Sequence, residues 1–112
     1  MEEIGCDILL INPPGGHYGE RWRDMAAMPP LGLASLAAAL QAAGFRARLL
    51  DARAERIPLR RAGDLIRELR PRAIGVTCST ESRFSAAETV KTARAAAPDA
   101  WIVMGGPHPT AA

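Results

Sequence analysis

The chain has 112 residues, of which 48% are hydrophobic and 23% charged, and its net charge is +2, so it is long enough for one small globular domain. Aromatic residues make up only 4%, and the arginines are interleaved with acidic residues, which argues against a nucleic-acid surface. Because the sequence has neither a signal peptide nor an apolar run of about 20 residues, we expect a cytoplasmic protein that binds no membrane.

Four short apolar runs alternate with three helical patterns along the chain. The runs at residues 8–11, 46–51, 73–77 and 101–104 are typical of strands, the first of them buried on both faces. Helices are predicted at residues 31–43, 60–70 and about 82–97. Gly44 and Pro71 end the first two, and Ser85 with Glu88 forms a capping box in the third. We expect the first helix to lie on the sheet through Ala34, Ala37, Ala38 and Ala42.

This alternation of strands and helices predicts an α/β fold. The sheet should be parallel and doubly wound, with the flavodoxin-like (Rossmann-like) strand order 2-1-3-4. A complete domain of that kind usually has a fifth strand. We therefore expect residues 1–112 to form one domain that stops before its last helix and strand, as a fragment of a longer protein.

The connection at residues 13–29 is long for a βα unit, and it contains Tyr18, Trp22 and two methionines. Such a cluster favours a loop that faces a ligand or partner. Its Gly15-Gly16-x-x-Gly19 is not a dinucleotide fingerprint, because about a dozen residues separate Gly19 from the helix. Asp51 stands where a ribose-binding acid would, but without the fingerprint it does not indicate a dinucleotide.

The cysteines and histidines do not predict a metal site. Cys6 precedes the first strand and Cys78 follows the third, so they should lie at opposite ends of a parallel sheet. We expect Cys6 to be a buried thiol, whereas Cys78, His17 and His108 share the carboxyl edge. We predict no metal ligand and no catalytic residue. The serines at this edge are typical of helix caps and do not form a nucleophile motif: Ser79, Ser82 and Ser85.

Two features predict a ligand site at the carboxyl edge of the sheet. The fourth strand ends in Gly105-Gly106, where a missing Cβ lets a ligand approach the main chain. The third strand ends in a turn rich in hydroxyl groups, Thr77-Cys78-Ser79-Thr80, which can hydrogen-bond polar substituents. Ligands of open α/β sheets bind at this edge. We expect both glycines to border a narrow space for the ligand, so that the valine side chain of Gly106→Val would fill that space.

Together these residues resemble the cobalamin-binding domain at the front of B12-dependent radical S-adenosylmethionine enzymes. The likeness covers essentially the whole chain, in order. It is carried by Asp7-Ile8-Leu9-Leu10-Ile11-Asn12-Pro13-Pro14, Pro29-Pro30-Leu31-Gly32-Leu33-Ala34, Gly44-Phe45, Leu50-Asp51, Ile74-Gly75-Val76-Thr77 and Gly105-Gly106-Pro107-His108-Pro109-Thr110.

The resemblance implies that the domain holds cobalamin, with the nucleotide tail between the hydroxyl turn and the paired glycines. The family's Asp-x-His-x-x-Gly variant, in which histidine replaces the lower cobalt ligand, is not matched around His17. We therefore expect the tail to leave cobalt without replacement by His17. The cofactor-binding residues implied are Asn12, Pro13, Pro14, Gly15, Thr77, Ser79, Thr80, Gly105, Gly106 and His108.

With only two cysteines, the chain lacks the family's Cys-x-x-x-Cys-x-x-Cys motif, so it cannot generate a radical alone. The resemblance implies an adjoining radical S-adenosylmethionine barrel domain with S-adenosylmethionine and a 4Fe-4S cluster. The whole enzyme would most often be a methyltransferase using methylcobalamin, and ring-forming cyclases use the same module. Two alternatives stay open: a non-catalytic ligand-binding or interaction module of the same fold, and a nucleotide-binding transferase domain.

Overall fold

A computed structural model describes residues 5–14, 31–78 and 82–106. Its four strands form one parallel sheet in the order β2-β1-β3-β4, which confirms the predicted flavodoxin-like α/β topology. In the described ranges no helix is long and apolar enough to cross a bilayer. The elements are β1 (Ile8–Asn12), α1 (Leu31–Ala42), β2 (Ala47–Asp51), α2 (Leu59–Leu69), β3 (Ala73–Thr77), α3 (Arg83–Ala96) and β4 (Trp101–Gly105).

The main core lies between the sheet and the helices α2 and α3. Alternate residues of the two central strands point into it and are almost fully buried, among them Ile11 on β1 and Ile74 on β3. As predicted, α2 is amphipathic: Ala62 and Ile66 are fully buried, whereas Arg61 is exposed. These side chains fix which face of the sheet α2 and α3 cover.

Helix α1 covers the opposite face, where it packs against β1 and β2. Of the four alanines expected to touch the sheet only Ala37 is buried, so the prediction is wrong for Ala34, Ala38 and Ala42, which are exposed. The partly buried Leu33 instead lines a groove on this side of the sheet. Because α1 packs against β1 and β2, no helix in residues 31–78 or 82–106 covers the face of β3 and β4 beside it.

The ends of the helices follow the predicted stop signals more closely than the predicted start signals. Gly44 adopts a φ of 96° after α1, and Arg70 ends α2 with a φ of 48° before Pro71. The capping box is wrong, because α3 begins at Arg83 and Ser85 already lies inside it. The Ser85 hydroxyl donates instead to the main-chain carbonyl of Pro14, across the edge of the sheet.

Strand β4 has one paired edge. The Trp101 amide donates to the Arg72 carbonyl over 2.9 Å, and the Cys78 amide donates to the Gly105 carbonyl over 2.7 Å. Main-chain groups alternate in direction along a strand, so those of Ile102 and Met104 face away from β3. Within the described ranges no strand pairs with that outer edge.

Candidate functional site

The last residues of the four strands form one row across the α1 face of the sheet. Asn12 is in register with Asp51 of β2, and Thr77 is in register with Gly105 of β4. The pairing of Ile11 with Val76 places Asn12 beside Thr77, so the row is continuous. The chain reverses its winding between β1 and β3, and ligands of such sheets bind at that switch point.

A groove of about 510 Å³ lies below this row, between α1 and the uncovered face of β3 and β4. None of the described residues that line it is charged, and its volume is that of a small-molecule site. The side chain of Val103 is 62% exposed and that of Leu36 is 47% exposed, so the groove is open. Its lining comes mainly from Leu33, Leu36 and Leu40 of α1 and from Leu10, Gly75, Thr77, Val103 and Gly105 of the strands.

Glycines shape the floor of the groove at two positions. A Cβ atom on Gly105 would have no heavy atom of the described residues within 4 Å, so nothing in that part of the chain fills the space beside it. A Cβ atom on Gly75 would lie 2.9 Å from Cδ2 of Leu10, so the Leu10 side chain leans over Gly75. The floor therefore has its free space at the carboxyl end of β4, next to Thr77.

Gly106 has a different role from Gly105. It adopts a φ of 106°, and a Cβ atom there would lie 2.8 Å from the Cys78 carbonyl oxygen and 3.0 Å from the Thr77 hydroxyl. The expectation that both glycines leave space for a ligand is therefore wrong for Gly106. This glycine lets the end of β4 approach the main chain of β3, and a valine there would collide with the protein itself.

Hydrogen bonds to residues of two neighbouring elements hold Asn12 and the two prolines after it in place. The Asn12 side-chain amide donates to Oδ1 of Asp51 over 2.9 Å, and the same oxygen accepts the Ala54 amide over 3.0 Å. Pro13 is buried, and the Pro14 carbonyl accepts the hydroxyl of Ser85. The exit of β1 is thus tied to the turn after β2 and to the first turn of α3.

The two thiols take no part in the groove. Cys6 precedes β1 and Cys78 follows β3, so they lie at opposite ends of the sheet, as predicted. Both are buried in the core on the α2 and α3 side. Burial raises the pKa of each thiol above its usual value, which keeps both protonated and unreactive at neutral pH.

A second large cleft, of about 580 Å³, lies on the other face between α3 and β4. Lys91, Arg94 and Met104 contribute to its lining. It borders none of the residues that the sequence singled out as ligand-binding. The groove on the α1 face is therefore the stronger candidate.

The structure brings together four of the predicted cofactor-binding residues at one rim: Asn12, Thr77, Gly105 and Gly106. The sequence reading missed Gly75, although a glycine inside a strand is itself a sign of close approach. It also missed the pairing of Asp51 with Asn12. Outside the described residues lie Gly15, His17, Ser79, Thr80 and His108, together with most of the long connection at residues 13–29.

Comparison with known proteins identifies the family to which this chain belongs. Residues 26–112 match the B12 binding domain. The chain is 31% identical over 103 residues to an uncharacterized methyltransferase of Pyrococcus horikoshii, an alignment covering 92% of this chain and 22% of that protein. It is 35% identical over 105 residues to the anaerobic magnesium-protoporphyrin IX monomethyl ester cyclase of Cereibacter sphaeroides, covering 92% of this chain and 17% of the cyclase. No solved structure matches significantly. The chain thus spans about a fifth of the length of these curated relatives.

Proposed function

Because the chain belongs to the B12-binding domain family, we propose that it binds cobalamin at the carboxyl edge of its sheet, with the nucleotide tail in the groove on the α1 face. The observation that carries this proposal is the free space beside Gly105, which a single Cβ atom would begin to fill. The groove has apolar walls with the Thr77 hydroxyl among them, which suits an aromatic base joined to a polar sugar phosphate.

Each described rim residue has a part in holding the cofactor. Thr77 offers a hydroxyl to the tail, and Gly106 keeps the ends of β3 and β4 close enough to form one wall. Asn12, Pro13 and Pro14 support the ring from the end of β1. We extend the proposal to Gly15, Ser79, Thr80 and His108, which lie outside the described residues. We also propose that the tail leaves cobalt without replacement by His17.

Bound cobalamin supplies a cobalt centre that can carry and donate a methyl group. This chain's own contribution is to bind, orient and exclude water, since none of its described groove residues is an acid, a base or a nucleophile. We further propose that the chain is the cobalamin module of a radical S-adenosylmethionine enzyme, most simply a methyltransferase. The two relatives, one named a methyltransferase and the other a cyclase, are compatible with a methyltransferase and with a ring-forming enzyme.

The partner of this module would be an adjoining barrel domain that carries S-adenosylmethionine and the 4Fe-4S cluster. The relatives have about four-fifths of their length outside the matched region. No described element pairs with the outer edge of β4 or covers the adjoining face of β3 and β4, which suits one more helix and strand, and we propose that polypeptide beyond residue 112 supplies them. The module would then act in the same cytoplasmic compartment as the rest of the enzyme.

The test is a titration of the chain with hydroxocobalamin, followed by the absorbance change that accompanies loss of the tail base from cobalt. Gly105→Val should weaken this binding by more than about tenfold, because its methyl groups enter the free space beside Thr77. Cobinamide, a corrinoid without a nucleotide tail, should bind the wild type and Gly105→Val equally. Ser35→Ala, on the exposed side of α1, is the control and should change neither affinity.

Two results would contradict the proposal. The first is an unchanged absorbance spectrum of hydroxocobalamin at saturating concentrations of folded wild-type protein. The second is full affinity of Gly105→Val for hydroxocobalamin, because the tail would then lie somewhere other than in the groove. Binding of a nucleotide in place of any corrinoid would instead favour the transferase alternative.

A further inference from the structure

The side chain of Asn12 has a fixed orientation at the centre of the rim. Its amide nitrogen lies 2.9 Å from Oδ1 of Asp51, an oxygen that also accepts the main-chain amide of Ala54. A carboxylate offers only acceptors, so Asp51 bonds the NH2 branch of the Asn12 amide and never the oxygen branch. The pairing thereby settles which way the amide faces, a choice that an unpaired asparagine leaves open.

The consequence is that the acceptor atom of the Asn12 amide is left available for a ligand at the rim. The nitrogen branch is engaged by Asp51 on the β2 side, so Oδ1 is the branch that remains for another partner, at a position beside Thr77 in the row of strand ends. The bond to Asp51 is the one hydrogen bond that the Asn12 side chain makes within residues 5–14, 31–78 and 82–106. A carbonyl oxygen at this position can accept a hydrogen bond from an N–H donor and cannot form one with a carboxylate.

We propose that Asn12, held by Asp51, is a specificity-determining residue that recognises a propionamide of the corrin ring and rejects the corresponding propionate. This rests on the proposed function. The propionamide side chains of cobalamin project from the same face of the ring as the nucleotide tail, so a tail in the groove directs them at the rim. A propionate there would place one acceptor against another, so it would meet the Asn12 oxygen without a hydrogen bond.

The test uses ligands that keep the tail and change one group at a time: the b-, d- and e-monocarboxylic acids of cobalamin, each with one propionamide replaced by propionate. We expect the wild type to bind at least one of them about tenfold more weakly than cobalamin, the equivalent of one net hydrogen bond. In Asn12→Ala that ratio should fall to within about twofold. In Asp51→Asn it should fall partway, because the new amide can donate to the Asn12 oxygen and occupy it.

The ratio of two affinities separates recognition from mere folding, since a loosened rim would weaken every ligand alike. Ser35→Ala is the control and should keep the wild-type ratio. Equal binding of cobalamin and all three acids by the wild type would overturn the role of Asn12 while leaving cobalamin binding in place. A tenfold preference that persists in Asn12→Ala would do the same. Failure of the wild type to bind any of the four ligands would overturn the proposed function as well.

Discussion

Gly105 and Gly106 are neighbours in the chain, yet alanine should have opposite effects on stability at these two positions. The Cβ position on Gly105 has no heavy atom of the described chain within 4 Å, and the residue ends a regular strand. The Cβ position on Gly106 lies 2.8 Å from the Cys78 carbonyl oxygen, and its φ of 106° is one that residues with a side chain rarely adopt. A pair of single substitutions therefore tests the geometry of the site without any ligand.

The expected magnitudes follow from these contacts. Gly105→Ala restricts the unfolded chain without strain, and should raise the free energy of unfolding by about 0.5 kcal/mol. Gly106→Ala adds backbone strain of about 1–2 kcal/mol. It also adds a clash with main-chain atoms that cannot rotate away, worth about 1–3 kcal/mol. The free energies of unfolding of the two variants should therefore differ by at least about 2.5 kcal/mol.

Thermal unfolding followed by far-ultraviolet circular dichroism measures the difference. For a domain of this size it corresponds to a gap of about 10 °C or more between the two midpoints, with Gly105→Ala the more stable. Urea unfolding gives an independent value and shows whether the slope, and hence the unfolded reference, is unchanged. A Gly106→Ala variant as stable as Gly105→Ala would refute the close approach of β4 to the end of β3.

Two further substitutions test contacts away from the groove. Ser85→Ala should lower the free energy of unfolding by about 1 kcal/mol, because the Pro14 carbonyl loses its donor. The exposed control Ser35→Ala should change it by less than about 0.5 kcal/mol. Equal effects of the two substitutions in urea unfolding would show that this hydrogen bond does not stabilise the protein. The Arg46 main-chain amide and guanidinium lower the pKa of the Asp7 carboxyl, so its stabilisation is present at neutral pH and is lost as the pH falls through the folded-state pKa. Asp7→Asn should therefore lower the urea midpoint at pH 7 and leave it nearly unchanged in strong acid. The exposed control Glu55→Gln should not show this pH-dependent loss. A decrease in the urea midpoint of Asp7→Asn that is the same at every pH would contradict the ion pair.

The sheet was predictable from the sequence because its signals are local and redundant. The continuous apolar runs around Ile11 and Ile74 are typical of parallel strands, and the clean 3.6-residue pattern of α2 leaves one interpretation. Strand order followed from the alternation of strands and helices. The prediction of which alanines of α1 face the sheet failed for the opposite reason. Because alanines occur on every side of this helix, its sequence pattern does not mark one face as apolar, and the buried face depends on which strands the helix covers.

The site was only partly predictable, because its details depend on neighbours that are distant in sequence. The sequence shows a Gly-Gly pair but cannot show that Cys78 fills the space beside Gly106 while that beside Gly105 is empty. Asn12 and Asp51 are 39 residues apart, and only the register of two parallel strands joins them. Likewise, Ser85 matched a local capping motif, but its hydroxyl found a partner 71 residues away.

Helix α1 contains no ionisable side chain, whereas α2 and α3 both carry several. Among the described helices the charged side chains therefore lie on one face of the sheet, whereas α1 gives the other face a neutral flank beside the groove. A domain that docks against the neutral flank would not have to desolvate a charged side chain of α1, so its affinity should hardly depend on ionic strength. Association through the other flank would instead weaken as salt is added.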